Sequence, residues 1–250
     1  MAKLTPEGWC NFWKFFQGKP HQLDALDKLY YDMPSTLLQD DSRWVEMYRS
    51  GPPEPEKKPG PVTPELMQRF SGHSASSYDQ AFCDDFNDLL ETTGFGSDLT
   101  AFRMLISQMA HETANWKYMK EIGDNAYFTK MYEGRSDLGN NQPGDGARFS
   151  GCGAIQCTGR ANFQASYDYL QQKRGLNDPR IMAEGTSYTA DVYPFSICIG
   201  WLINNDYLNL CKGGDIVACT RRLNGGTNGL DDRMRWYEKA QRVILQSDLT

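Results

Sequence analysis

Six of the chain's twelve prolines fall between Pro52 and Pro64, in the stretch GPPEPEKKPGPVTP. Proline fixes φ and has no backbone N–H to donate, so such a stretch continues neither a helix nor a central strand. It predicts an extended, semi-rigid spacer. The 250 residues are therefore expected to divide into a small module at 1–50, a linker at 51–63 and a larger domain at 64–250. A proline-rich surface loop within one domain is the other reading.

The first 50 residues are rich in aromatic side chains. Trp9, Phe12, Trp13 and Phe16 recur at helical spacing, with Pro6 suited to a first helical turn. Leu23, Leu26, Leu29 and Tyr30, then a stretch around Trp44 and Val45, continue the pattern, so three short helices are expected. The stripe reads first as core, because so small a unit needs large side chains to bury enough area. A sugar-stacking face, which would make the module a cell-wall binder, is the alternative.

Past the linker the pattern is mainly α. One helix is expected to end near Gly94, and Ser97 or Asp98 then caps a strong helix with Leu99, Phe102, Leu105, Ile106 and Met109 on one stripe. Residues 123–162, rich in Gly, Asn and Asp, read as a long loop region. Helices resume around 163–174, 194–209, 215–223 and 231–246. Sparse β-branched residues and no sustained alternation argue against a sheet.

No apolar run approaches the roughly 20 residues that span a bilayer. The start, MAKLTPEGWCNFWKFF, lacks the features of a secretory signal. Seven cysteines with no Cys-x-x-Cys pair predict free thiols made in a reducing compartment, and no zinc framework. A net charge of −6 argues against a nucleic-acid partner.

His111-Glu112 fails as a zinc-protease helix, because Asn115 stands where a second histidine is required. Only three histidines are present, and there is no G-x-S-x-G elbow. Glu112 shares a helix face with Leu105 and Met109 at 3–4 spacing. A carboxyl beside apolar surface holds its proton more tightly, which suits a general acid. A solvent-facing helix end is the alternative.

Glu121 follows nine residues later. On one continuous helix it would lie ~13 Å further along and on the opposite face. The helix must therefore end between the two if they are to cooperate, and Asn115 and Gly123 suit such an end. An acid and a base ~6.5–9.5 Å apart are the layout of an inverting glycosidase. Glu133 is a rival base by composition, more readily structural and paired with Arg135 or Arg148.

Three segments in order, AHETANWKYMKEIGDNAYF, YEGRSDLGNNQPGDGARFSGCGAIQCTGRANF and TRRLNGGTNGLDDRMRWYEKA, resemble glycoside hydrolase family 19. The likeness runs from about residue 80 to 245. It is closest to the family's phage endolysins and more distant from its chitinases. The resemblance implies a lysozyme-like, bilobal helical catalytic domain. It implies that Glu112 is the general acid, that Glu121 is the base activating water, and that Thr158 helps hold that water. It further implies that Gln156 and Asn162 line the sugar cleft. Asn224 and Arg233 would lie near the catalytic centre, Arg233 supporting a carboxylate through its planar fork of donors. Asn162 and Asn224 also read as residues that cap helices or close turns. Cys152 and Cys157 depart from the resemblance, standing where many members have Arg and Leu.

The activity so implied needs no metal or organic cofactor. It is inverting hydrolysis of β-1,4 bonds between N-acetylated amino sugars of peptidoglycan, with chitin as the alternative substrate. A non-catalytic wall-binding or virion structural protein is the rival from another class. A monomer is expected, made in a host cytoplasm and reaching the wall by holin-dependent release or within a virion.

Overall fold

Thr63 opens the first helix of the folded body. Its side chain accepts from the Leu66 N–H at 3.2 Å, Pro64 takes the first helical position, and Gly72 closes the helix at φ 87°. The structure is a computed structural model that describes residues 60–249, within one unit spanning Pro59–Thr250. The module expected at 1–50 and most of the linker lie outside the described residues. The end of the expected linker belongs to the folded body. Val62 is buried, and its backbone exchanges two 2.9 Å hydrogen bonds with the Asn87 side chain. A proline-rich segment can still seat the one apolar residue between its prolines.

Twelve α-helices follow among the described residues: α1 (Pro64–Ser71), α2 (Gln80–Thr93), α3 (Leu99–Glu112), α4 (Asn125–Tyr132), α5 (Asp145–Arg148), α6 (Arg160–Arg174), α7 (Arg180–Glu184), α8 (Thr186–Val192), α9 (Ile199–Asn204), α10 (Tyr207–Lys212), α11 (Ile216–Asn224) and α12 (Leu230–Val243). There is no strand among the described residues. Isolated bridges pair Lys120 with Cys152 and Cys152 with Cys157.

Local signals fix the helix ends as expected around α3. Gly94 terminates α2 in the left-handed conformation, and the Asp98 side chain accepts from Ala101 N–H at 2.8 Å. The α3 stripe is wider than the sequence indicates. Nine consecutive-face residues from Ala101 to Ala110, including Ser107 and Gln108, are buried. This makes α3 the central helix, with α12, α10 and α11 packed along it. On the other side, α2 meets the 195–198 turn, where Phe86 stacks on Phe195 at 4.2 Å.

Two expectations are corrected. The region 123–162 is not one long loop: it contains α4 and α5, each too short for a periodic stripe to show. The helix expected at 194–209 is broken into a 3-10 turn, α9 and α10, because Asp206 adopts φ 49°. Helices α7 and α8, at five and seven residues, carry no legible stripe either.

Candidate active site

Glu112 is the last residue of α3, and its Oε1 accepts from Nη2 of Arg233 in α12. The Arg233 side chain is fully buried, whereas that of Glu112 is 17% exposed. Nη1 of Arg233 donates to Gln108 Oε1 at 2.5 Å, and Nε donates to Asn228 C=O at 3.3 Å. Gln108 Nε2 donates to Thr220 Oγ1 at 3.2 Å, which fixes the amide with its oxygen toward the guanidinium. A buried cation is costly unless its donors are matched, and here three of its nitrogens are. At the end of its apolar stripe Glu112 thus meets a buried guanidinium, that of Arg233, the residue from which the resemblance implies support for a carboxylate.

The same helix end is held from the neighbouring position. His111 Nδ1 lies 2.8 Å from Asp232 Oδ2, one residue before Arg233. Gly229 permits this approach, since a Cβ there would stand 2.1 Å from His111 Cε1 and its φ is +71°.

The helix ends where the two carboxylates require it to end. Thr113 caps it: its hydroxyl donates to Met109 C=O and accepts from Trp116 N–H, both at 2.8 Å. Ala114, Asn115 and Trp116 then run through the left-handed region at φ 49°, 60° and 68°. Left-handed backbone costs a residue with a Cβ about 1–2 kcal/mol, so something must hold it. Asn115 N–H donates to Ala110 C=O at 2.7 Å, and Asn115 Nδ2 reaches Ser71 C=O and His73 Nε2 at 3.2 and 3.0 Å. The Trp116 ring packs among Phe70, Phe82, Phe86 and Phe195.

Glu121 emerges from this reversal on a loop. Its N–H donates to Gly151 C=O at 2.9 Å, and Gly151 N–H returns a 2.9 Å bond to Glu121 Oε2. The Tyr132 hydroxyl, at the end of α4, donates to Oε1 at 2.8 Å. Burial and the adjacent Glu121 carboxylate hold the Tyr132 phenol above its usual range, so it stays a donor. A Cβ on Gly151 would meet Gln156 Oε1 at 2.7 Å and Glu121 Oε2 at 2.9 Å, so a side chain there would have to displace one or both of these groups.

The expected site residues form two groups. Glu112 and Arg233 are in direct contact. Glu121, Gly151 and Gln156 lie against one another, and Thr158 Oγ1 donates to Gln156 C=O at 3.0 Å. Asn162 Nδ2 donates to Thr158 C=O at 2.8 Å, the turn-closing role open to it from sequence. Asn224 is the last residue of α11. Glu133 does not pair with Arg135 or Arg148. Its two oxygens accept from Gly144 N–H and Gly146 N–H at 2.7 Å each, while Arg135 pairs with Asp137.

Sequence reasoning misses Gln108, Thr220, Tyr132 and Gly151. A buried-looking Gln on the α3 stripe was the one available signal. Exposed apolar side chains also recur along residues 118–131, the segment that carries Glu121. Tyr118, Ile122, Tyr127 and Met131 are four of the seven large apolar residues found exposed among those described, and Ile122 is 72% exposed. Such a concentration marks a contact surface. A cavity of about 580 Å³, lined by Tyr78, Phe82, Trp116, Tyr118 and Lys120, adjoins this segment and includes neither carboxylate. Among the described residues no group of three or more His, Cys, Asp or Glu side chains could hold a metal ion.

No protein-family model matches the chain. A curated Haemophilus influenzae protein, described as glycosyl hydrolase family 19 domain-containing, is 29% identical over 119 residues. The match covers 48% of this chain and 52% of that protein, so the chain spans about half the length of the curated relative it matches. Among solved structures, chitinase C from Streptomyces griseus superposes with a TM-score of 0.55 at 16% identity, covering 76% of this chain and 79% of that one. A bacterial family 19 chitinase gives 0.54 at 16% identity, covering 74% and 95%. Over about half its length the chain is thus similar in sequence to a protein described as carrying a glycosyl hydrolase family 19 domain. The helical body has the fold of these chitinases.

Proposed function

We propose that the chain is a glycoside hydrolase that cleaves β-1,4 bonds between N-acetylated amino sugars of peptidoglycan by single displacement with inversion. The observation that carries this reading is the unlike support of two carboxylates on either side of a forced helix end. Glu112 rests on a buried guanidinium, and Glu121 is gripped by a backbone N–H and a phenol. Glycoside cleavage needs one carboxyl to protonate the leaving oxygen and another to activate water on the opposite face of the sugar. Glu112 is assigned the first task and Glu121 the second. Thr158, Gln156 and Asn162 continue the Glu121 side, where hydroxyl and amide groups suit sugar hydroxyls and acetamido groups. The exposed Tyr118, Ile122 and Tyr127 suit the apolar faces of sugar rings.

The biological setting proposed is wall lysis of endolysin type, with synthesis in a host cytoplasm and release to the wall through a pore or a virion. A monomer without cofactor suffices for this chemistry. Chitin is the second reading, favoured by the chitinases among the similar folds.

Turbidity of permeabilised Gram-negative cells tests the enzyme reading. Wild type is expected to clear them and Glu112→Gln is not; equal clearing would overturn the assignment. Mass spectrometry of the products decides the bond. Muropeptides with reducing ends support hydrolysis, 1,6-anhydro ends point to a transglycosylase, and cut stem peptides exclude a glycosidase. Release of soluble sugars from chitin but not from sacculi would move the substrate to the second reading.

A further inference from the structure

Cys211 in α10 and Cys219 in α11 are both fully buried, with their sulfurs 3.7 Å apart. A disulfide needs about 2.05 Å, so each sulfur has to move by about 0.8 Å. The turn between the two helices supplies that slack. It contains Gly213 and Gly214, the second at φ +72°, and a Cβ on Gly214 would meet nothing closer than 3.7 Å. Cys219 itself is anchored, because the Tyr207 hydroxyl donates to its C=O at 3.1 Å. Burial holds the Cys211 thiol above its usual range, which lowers its thiolate fraction and slows its attack on an oxidant.

Cys152, Cys157 and Cys198 form a second cluster, in which the Cys157 thiol hydrogen-bonds that of Cys198 and Cys157 is also paired through its backbone with Cys152. Cys152 and Cys157 face each other across two backbone hydrogen bonds of 3.0 and 2.8 Å. In such a hydrogen-bonded antiparallel pair the Cα atoms stand about 5.5 Å apart with side chains diverging more than in the alternate register. Closing that pair would also disturb Gly151, which holds Glu121.

We propose that Cys211 and Cys219 form a disulfide when the protein passes from a reducing into an oxidising compartment. The change of compartment rests on the wall-lytic reading; the chemistry of the pair does not. The oxidant is a small-molecule or protein disulfide. Local opening of the turn at Gly213 and Gly214 gives one thiolate access to it; that thiolate attacks and releases the first reduced thiol, and the second thiolate then displaces the other from the mixed disulfide. Two protons and two electrons leave the pair, and the oxidant is reduced to two thiols.

The bond would join α10 to α11 around the seven residues 212–218. Helix α11 carries Thr220, which orients Gln108 toward Arg233. The cross-link would therefore brace the wall behind Glu112 once the protein has left the compartment in which it folded. By restricting the unfolded chain it is expected to raise Tm by about 5 °C.

The test equilibrates the full chain with oxidised glutathione, alkylates it in acid and digests it with trypsin without reduction. Cleavage after Lys212 separates the two cysteines, so peptides 181–212 and 213–221 stay together only through a disulfide. Fragmentation then distinguishes Cys211 from Cys198. The expected result is a Cys211–Cys219 linkage with a Tm rise that dithiothreitol reverses and that Cys219→Ala abolishes. Cys211→Ser serves if Cys219→Ala does not fold. Recovery of both thiols free, of glutathione adducts only, or of Cys219 joined to another cysteine overturns the proposal. A linkage without any Tm change overturns the bracing role. Since wall lysis is assayed separately, a chain that links but lyses nothing refutes only the wall-lytic reading.

Discussion

Glu112 and Glu121 stand nine residues apart, yet the first ends α3, the central helix among the described residues, and the second sits on a loop. On the Glu112 side, α3, α11 and α12 pool one fully buried side chain each, Gln108, Thr220 and Arg233, into a hydrogen-bonded network. On the Glu121 side the grip is a single N–H, a single phenol and one missing Cβ. The buried network ties the position of its carboxylate to the stability of the whole core. The loop ties its carboxylate only to the 151–158 turn and to α4. Changes behind Glu112 should therefore cost stability first, and changes around Glu121 should cost activity first.

The largest test removes each carboxylate in turn. Glu112→Gln and Glu121→Gln are each expected to lower turnover by about 10²- to 10⁴-fold, with Tm close to wild type for Glu121→Gln and lowered for Glu112→Gln, which leaves the buried Arg233 cation without its anion. Near-normal rates in Glu121→Gln would transfer the base to Glu133, against the backbone bonds that occupy both its oxygens.

The next pair breaks the comparison directly. Gly151→Ala is expected to displace Glu121 and cost about 100-fold in rate. Gln108→Leu strands a guanidinium nitrogen in the core and should cost about 1–3 kcal/mol of stability in urea denaturation. If Gly151→Ala unfolds the chain while Gln108→Leu does not, the two sides have been assigned the wrong way round.

Titration of the scaffold can be separated from that of the site. Asp85 in α2 is buried and accepts from Phe195 N–H and Ser196 N–H at 2.7 and 3.2 Å. Burial, opposed by those hydrogen bonds, pushes its carboxyl up to about 6. The folded chain then binds this proton more tightly than the unfolded one. Its contribution is full below the ordinary carboxylate range and is lost as pH rises through about 6. That loss amounts to about 3 kcal/mol. Asp178 works in the other direction. The Arg180 guanidinium holds its carboxyl well below the usual range, so its contribution is present above that range and is lost on acidification. Urea midpoints of wild type and Asp85→Asn between pH 2 and 7 check this: the variant should lose the decline across pH 4–6 and keep the fall below pH 4. Asp85 touches neither carboxylate, so the pH profile of activity should not move.

The smallest expected effect is that of Tyr132→Phe. Losing one hydrogen bond to a carboxylate should lower turnover by about 10-fold and stability by about 1 kcal/mol. A full loss of activity would show that the phenol does more than orient Glu121.

Much of this was legible along the chain. Asp98 and Gly94 announced the ends of α3 and α2, because a capping side chain and a left-handed glycine act within one turn. The requirement that the helix stop between Glu112 and Glu121 also followed from helix geometry alone. Asn115 was a sound signal for that stop, but Ala114 and Trp116 give no sign of left-handed backbone. They adopt it because Thr113 closes the helix and the Trp116 ring is drawn into the aromatic core. Helices α5, α7 and α8 went unseen because four to seven residues make too little of a period.

The sequence by itself determined a mainly helical body, a boundary near the proline cluster and two candidate carboxylates in a known motif. These depend on interactions within a few residues, which the order of side chains specifies directly. Only the tertiary structure decided that Arg233, 121 residues from Glu112, is the buried cation beneath it, and that Gly151 and Tyr132 hold Glu121. Those contacts exist because burying α3 on several faces brings distant helices together, and a buried charge must then find its partners wherever the packing has put them.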